Sequence, residues 1–434
     1  MTQRIPATLR LYRLAWGVGR PLVPFFLSRR LGRGKEMRER LRERKGHAQI
    51  ERPAGPMVWI HAASVGELTS VFALIERIRS QQVAVLVTTG TVTSAALAAQ
   101  RLPPDVIHQF VPLDHRTYVR RFLDHWQPDL ALLVESDLWP NVIIESAARS
   151  IPLILINGRL SESSFRRWRR FPRTISALLD RFDLCLARMP ADATFLSDLG
   201  APRVIMTGNL KFDVPPPPVG VDKLNQLRSV IGNRPILGAA STHPGEEVMV
   251  LAAHHMLRVR VPGLLTVIAP RHPERGAGIA ELARSRRLKA AMRSRKEMPD
   301  ASTDIYIADT IGELGLLYRL APVVFIGGSL IRHGGQNPIE AAKLGAAILH
   351  GPNVANFTEI YRALDNVRGA GLVGDPETLA DRAYNWLRDP PARDAAAEAA
   401  HNTVMALGGA LDRTVQALDP YLMQLRLGRR VPHA

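Results

Sequence analysis

The 434-residue chain is long enough for two or three domains with separate cores, and its 46% hydrophobic and 22% charged residues exclude wholesale disorder and collagen-like or low-complexity architectures. One cysteine, Cys185, excludes an intramolecular disulfide and a cysteine-based zinc or iron–sulfur site, which fits a reducing cytoplasmic location. The formal net charge of +17 points to an anionic partner: nucleic acid, an acidic membrane surface or a phosphorylated substrate. Residues 1–45 carry 13 Lys and Arg against only Glu36, Glu39 and Glu43, so they supply +10 of that excess.

In residues 6–28, Leu9, Leu11, Tyr12, Leu14, Trp16 and Val18 are interrupted by Arg10, Arg13 and Arg20, and Pro21 and Pro24 break a continuous helix. A spanning helix wants ~18 or more apolar residues in a row, and a secretory signal would not hold arginines in its apolar region. The segment 1–45 reads instead as a basic amphipathic membrane-associating segment. Trp16, Phe25 and Phe26 are expected in lipid, with Arg29, Arg30, Arg33, Lys35, Arg38, Arg40, Arg42 and Arg44 at anionic headgroups. The competing reading is a first helix packed on the body, followed by a solvated charged helix. No aromatic-studded sheet motif or zinc finger follows, so nucleic acid is not an expected partner.

From residue 57, short Val/Ile/Leu-rich runs alternate with helix-like stretches: Val58–Ile60, Val83–Val87, Leu130–Val134, Leu153–Ile156 and Leu184–Ala187. This is the pattern of a parallel sheet covered on both faces. It stops at Asp213–Gly220, where four consecutive prolines form a stiff linker over 213–221. It resumes with Ile236–Ala239, Leu264–Ala269, Ile305–Ala308, Val323–Ile326 and Ala346–Leu349, and a helical tail runs from about Pro376 to Gln424. The chain therefore divides into a domain over 46–212 and a second over 222–434 that includes the C-terminal helices. Two such α/β halves imply a cleft between nucleotide-binding folds, with ligands beyond the strand C-termini.

The polar motifs after the strands carry the chemistry. Glu67, in Ser64-Val-Gly-Glu67, sits at a helix N-terminus; it reads either as an ionised base or as part of a Ser-x-x-Glu capping box. Glu135 and Asp137 follow the Leu130–Val134 run and read either as hydrogen-bonding or charge-tuning groups at a cleft or as a helix N-cap, with Asp137 the expected cap of the next helix. Ile156–Phe171 holds Arg159, Arg166, Arg167, Arg169 and Arg170 interleaved with Phe165, Trp168 and Phe171, suited to gripping phosphate beside acyl chains or to an exposed basic loop. Lys211 lies just before the linker, where an ammonium can neutralise a departing phosphate. In the second half, Arg271 follows a strand as a phosphate ligand, and the pairs Gly327-Gly328 and Gly334-Gly335 precede a helix near Asn337–Pro338, with Glu340 placed for ribose hydroxyls. There is no G-x-G-x-x-G, Walker lysine, HExxH, DxD or G-x-S-x-G, so no metal or cofactor is expected.

HAASVGE, ESDLWPN, NGRLS, GNLKFD, STHPGEE, PRHPER, the DT-x-GEL-x-LLY run and the GGSL…GGQNPIEAA run occur in this order along the chain. In this it resembles the Kdo (3-deoxy-D-manno-octulosonic acid) transferases of lipopolysaccharide synthesis. The resemblance implies a GT-B glycosyltransferase fold, two Rossmann-like domains with parallel sheets facing a cleft. It implies inverting transfer of Kdo from CMP-Kdo, bound by the second domain, to a lipid A precursor (lipid IVA) bound by the first, at the cytoplasmic face of the inner membrane. By motif, Glu67 matches the general base, Glu135 and Lys211 the transition-state stabilising pair, and Pro270, Arg271, Ile311, Gly312, Glu313, Asn337, Pro338, Ile339 and Glu340 the CMP-contacting segments. The family commonly has Glu-Thr-Glu where this chain has Glu135-Ser136-Asp137. A related GT-B enzyme with another nucleotide sugar and a different lipid or glycan acceptor is the alternative.

Overall fold

The computed structural model describes residues 5–428; residues 1–4 and 429–434, the ends of the basic segment and of the C-terminal region, lie outside it. Two compact units result, 1–214 with 408–434, and 215–407. The first is built on β1 (Met57–His61), β2 (Ala84–Thr89), β3 (Ile107–Phe110), β4 (Leu130–Val134), β5 (Leu153–Gly158), β6 (Leu184–Ala187) and β7 (Val204–Met206). The second is built on β8 (Ile236–Thr242), β9 (Leu265–Pro270), β10 (Ala290–Met292), β11 (Ile305–Ile307), β12 (Val323–Ile326), β13 (Ala347–His350) and β14 (Ala370–Leu372). The sheet orders are 3-2-1-4-5-6-7 and 10-11-9-8-12-13-14, and the strand pairs are parallel.

Each internal strand is an unbroken apolar run because helices cover both faces of its sheet. Along β1, Val58 and Ile60 enter one core with the helix Val65–Arg79, through Leu68, Val71, Leu74, Ile75 and Ile78. Met57 and Trp59 enter the opposite core with Phe122, Leu123, Val142 and Leu178. The period of two thus sorts one strand between two cores. The Trp59 indole donates to the Thr88 hydroxyl at 2.9 Å, so its polar atom is satisfied at full burial. Cys185 is buried in β6, and burial pushes its thiol up to about 12.

The basic N-terminal segment differs from the expected interfacial arm in its second half. Arg44 is buried: it pairs with Glu36 at 2.9 Å, donates to the carbonyls of Val111 and Gly90, and lies over the Phe110 ring. Arg40 forks onto Glu43 at 2.8 and 2.9 Å. Gly46, at φ +78°, lies so close to the Tyr118 carbonyl that a Cβ would fall 2.0 Å from it. Residues 36–46 are therefore part of the body, and Arg40 and Arg44 are withdrawn from any headgroup. Trp16 is also half-buried, packed on the Val23, Leu27 and Tyr118 cluster, and Arg13 pairs with buried Glu145. What remains outside is a stripe of Leu11, Leu14, Val18, Leu22, Phe25 and Phe26, between 47% and 73% exposed, on the helices Ala7–Gly19 and Val23–Gly32 and the short turn Arg20–Leu22 between them. Among the described residues no helix is long and apolar enough to cross a membrane.

The C-terminal boundary is also corrected. The helices Pro376–Arg388 and Pro390–Ala406 stay with the second unit, but the helix Ala410–Arg426 returns to the first, placing Leu418, Tyr421, Leu422 and Leu425 in the β1 core beside Leu68. Asp213 fixes the return: its carboxylate accepts from the backbone N–H of Gly409 at 2.7 Å and of Leu411 at 2.6 Å. A cap of this kind is worth about 0.5–2 kcal/mol. Asp213→Ala should lower the urea midpoint accordingly, with the amides of residues 410–426 losing hydrogen-exchange protection first. Unchanged protection there would show that core packing alone holds the helix.

Candidate functional site

In an open parallel sheet, neighbouring strands whose connections run in opposite directions leave a crevice beyond their carboxyl ends. In the first unit these strands are β1 and β4, and the loops that follow them carry Glu67 and Glu135. Ser64 caps the helix Val65–Arg79, accepting from the Glu67 N–H at 3.3 Å. The Glu67 carboxylate accepts the Ser64 hydroxyl at 2.7 Å and the Ala63 N–H at 2.8 Å. Capping is thus real, and it also fixes the carboxylate's position. Burial, reinforced by the negative charges of Asp137 and Glu135, raises the Glu67 pKa above its ordinary 4.5, against the two donors that lower it.

Glu135 stands at φ +60°, a left-handed conformation unusual for a side-chain-bearing residue and typical of strained site positions. Its Oε1 receives the Lys211 ammonium at 2.6 Å. Lys211 lies on the short turn Leu210–Phe212, held by the Asn157 side chain accepting from the Leu210 N–H at 3.1 Å and that of Asn209 accepting from the Lys211 N–H at 3.1 Å. The structure therefore brings Glu67, Glu135 and Lys211 to one end of the first sheet. Asp137 is not the expected helix cap. Its Oδ2 lies 3.2 Å from the buried His61 Nε2, while the helix Pro140–Ala147 is capped from a distance by Asp114, which accepts from the N–H groups of Asn141 and Val142. Beside these residues opens a cavity of about 440 Å³, lined among others by Glu135, Asp137, Trp139, Arg159 and Trp168.

In the second unit the corresponding strands are β8 and β12. Sequence reading assigned no role to Glu246, which proves central. Fully buried, its carboxylate accepts four backbone N–H groups: His243 at 2.9 Å, Gly328 at 2.7 Å, Ser329 at 3.0 Å and Leu330 at 3.0 Å. It joins the loop after β8 to the loop after β12. Gly327 permits the approach, since a Cβ there would lie 2.5 Å from the Ser241 carbonyl. Glu247 accepts the Thr242 hydroxyl and a bidentate Arg275 at 2.6 and 2.9 Å. The two acids after a Pro-Gly turn could have signalled such loop anchors, but apart from the local His243 and Thr242 their partners, Gly328, Ser329, Leu330 and Arg275, are distant in sequence.

The second unit's predicted contact residues lie at the end of β9 and on the segments that follow β9, β11 and β12. Pro270 closes β9, and the Arg271 N–H donates to the Thr242 carbonyl at 3.0 Å. The His243 ring lies 3.9 Å from that of His333 and 6.2 Å from that of His272. Burial and neighbouring cations push His243 down to about 4, so it is neutral near pH 7 and its Nε2 accepts from the Gln336 amide at 2.9 Å. Ile311 and Gly312 form an exposed turn, whereas the Glu313 carboxylate is engaged by Arg293 at 2.9 Å and Lys223 at 2.8 Å and lowered to about 2. Asn337 accepts from the Ile339 N–H at 3.0 Å; Pro338 precedes the short helix Ile339–Lys343, and Glu340 lies in its first turn. No group of three metal-ligating side chains is assembled among the described residues.

Two seven-stranded parallel α/β units with motif-bearing loops beyond their central strands define the GT-B architecture. Solved structures share this fold: UDP-GlcNAc 2-epimerase from Neisseria meningitidis (TM-score 0.59, 14% identity, 84% of this chain and 100% of that one) and a glycosyltransferase from Rickettsia africae (TM-score 0.56, 11% identity, 86% and 99%). Residues 39–214 match the family model described as 3-deoxy-D-manno-octulosonic-acid transferase. The 3-deoxy-D-manno-octulosonic acid transferase of Haemophilus influenzae is 32% identical over 93% of this chain and 96% of its own, and that of Bordetella pertussis 32% over 95% and 99%. The chain belongs to the 3-deoxy-D-manno-octulosonic acid transferase family and is a glycosyltransferase.

Glu246→Gln keeps the shape but turns an amide NH₂ toward N–H donors. Each buried donor left unmatched costs about 1–3 kcal/mol, so the melting temperature of the second unit should fall clearly. A melting temperature equal to that of the parent chain would mean that the two loops hold without this carboxylate.

Proposed function

We propose that this chain transfers Kdo from CMP-Kdo to a sugar hydroxyl of a lipid A precursor, lipid IVA, inverting the anomeric centre, at the cytoplasmic surface of the inner membrane. The observation that carries this reading is Glu67, a carboxylate fixed by two donors at the end of the first sheet, with its basicity raised by burial and by two neighbouring acids. Family membership supports the Kdo donor sugar.

In this reading Glu67 accepts the proton of the attacking hydroxyl. A raised pKa strengthens it as a base. Lys211, oriented by Glu135, supplies positive charge where negative charge develops, which stabilises the transition state more than the ground state. On the donor side, Arg271, Pro270, the Ile311–Glu313 turn and Asn337–Glu340 hold the CMP moiety. Because the Glu313 carboxylate is already ion-paired, that turn meets the nucleotide through backbone. The exposed Leu11–Phe26 stripe, bordered by Arg10, Arg20 and Arg29, lies in the plane of an anionic membrane and brings a lipid acceptor within reach.

Purified protein given CMP-Kdo and lipid IVA should produce the mass gain of one or more Kdo units; UDP-sugars should not substitute. Glu67→Ala should lower kcat on the order of 10²–10⁴ with CMP affinity retained. Activity close to the parent enzyme would remove Glu67 from this role. Since the ionised form is required, kcat/KM should fall as pH drops through a limb lying above 4.5. Ser64→Ala removes a donor that favours the anion and should shift that limb to higher pH. Binding to anionic vesicles in a flotation assay should drop when Leu14 and Phe25 are both changed to Ser. Unaltered flotation would place the membrane contact elsewhere.

A further inference from the structure

His61 closes β1 with its side chain buried, and its two ring nitrogens meet different partners. Nδ1 lies 2.9 Å from the Thr88 hydroxyl and 3.3 Å from the Thr88 carbonyl on the neighbouring β2. Nε2 faces Asp137 Oδ2 at 3.2 Å. Both of these atoms are sealed from solvent, and neither has another polar partner among the described residues. Burying two such atoms face to face is costly unless a proton stands between them.

The neighbouring donors locate that proton. The Trp59 indole N–H can only donate, and it occupies one lone pair of the Thr88 hydroxyl at 2.9 Å. The hydroxyl proton is then free for His61 Nδ1, and an imidazole that accepts at Nδ1 carries its own proton on Nε2. The opposite tautomer would turn a bare nitrogen lone pair onto a carboxylate oxygen, two acceptors with nothing between them. A chain of donors therefore runs outward from the core: Trp59 to Thr88, Thr88 to His61, His61 to Asp137.

Asp137 has no other anchor. It caps no helix, its side chain is 24% exposed, and Lys211 is taken by Glu135 at 2.6 Å. The buried His254 of the second unit provides the contrast. Its Nδ1 meets the Thr266 hydroxyl at 2.8 Å in the same manner, but its Nε2 stands 3.9 Å from Asp304, whose carboxylate also takes Arg258 at 3.6 Å and the Lys289 N–H at 2.9 Å. There the carboxylate is held without the ring; in the first unit the ring is what holds it. The charged groups around Glu67 make this matter. Asp137 and Glu135, both on the loop after β4, act with burial to strengthen it as a base, against the Ser64 and Ala63 donors. Glu135 is offset by Lys211, so Asp137 is the acid left uncompensated beside a neutral His61; on the β5 side, Arg159 shares the cavity wall with Asp137.

We propose that His61 is a positioning residue for the transfer reaction: its Nε2–H holds the Asp137 carboxylate as a fixed negative charge facing Glu67, and so tunes the base that takes the proton of the attacking hydroxyl. The proposal rests on the transferase reading and deepens it.

The pH profile of kcat/KM with CMP-Kdo and lipid IVA tests it, measured for wild type, Asp137→Asn, His61→Phe and His61→Gln together with a thermal melt of each. Asp137→Asn removes the repelling charge, so the acid limb should move to lower pH and the plateau kcat should drop roughly three- to tenfold, as a weaker base requires. His61→Phe strips Asp137 of its donor and should move the limb in the same direction. His61→Gln keeps an N–H toward Asp137 and should return the limb most of the way to wild type. Adding His61→Phe to Asp137→Asn should move it no further, and the KM for CMP-Kdo should stay constant throughout. A limb that stays in place in His61→Phe while the melting temperature falls makes His61 a packing residue and overturns the proposal. A second measurement leaves the core intact: nitrogen NMR of wild type carrying isotope-labelled histidine, with the His61 signal assigned by its loss in His61→Gln. It should show a proton on Nε2, and a proton confined to Nδ1 overturns the proposal whether or not His61→Phe folds. If wild type forms no Kdo product, the transferase reading falls, while the labelled ring still decides whether His61 holds Asp137.

Discussion

Where the strand order of a parallel sheet reverses, two neighbouring loops diverge and their backbone N–H groups lose the partners that strand pairing would give them. Both units answer this constraint with a glutamate. In the second unit Glu246 accepts four such groups and is consumed as a structural anchor. In the first, Glu67 accepts one backbone N–H and one hydroxyl and stays half-buried rather than sealed. The same solution at equivalent places therefore leaves one carboxylate without spare capacity and another with its basicity raised and lone pairs still open. The architecture of each unit and the chemistry of its loops share this origin.

The ion pairs around the first unit's site belong to one arrangement. Lys211 is oriented by Glu135, the turn carrying it is held by Asn157 and Asn209, and Asp213, two residues on, caps the returning helix that packs into the β1 core. Lys211 is thus fixed by a chain of short-range bonds ending in the core. Such preorganisation lowers the reorganisation needed when charge develops.

Much of this was legible in the sequence, and the gaps have a physical pattern. All ten strands marked by continuous apolar runs exist. The four that were not marked, β3, β7, β10 and β14, are the four sheet edges. An edge strand pairs on one side only, is three or four residues long here, and is partly exposed, so Ile107–Phe110 or Ala370–Leu372 shows no run to read. Helix caps failed in the same manner. Ser64 is local and was visible, whereas Asp114 caps a helix 27 residues away and could not be. The composition of the tail from about Pro376 to Gln424 announces helices but not the sheet on which the last one packs. In the basic N-terminal segment, charge alone could not separate Arg44, which faces three internal acceptors, from Arg29, which faces solvent. Glu67 and Glu135 stand out because each follows a strand that the apolar pattern locates, whereas Lys211 follows the unmarked β7 and is singled out only by the proline linker beside it and by the family resemblance.

The solitary thiol of β6 has a practical corollary. Because Cys185 is sealed in the interior and its proton is held to about pH 12, it is inert toward maleimides and alkylating reagents while the fold is intact. A cysteine engineered at any solvent-facing position would then be labelled alone, so fluorophore or spin-label pairs can be placed on the two units without first removing a native sulfhydryl.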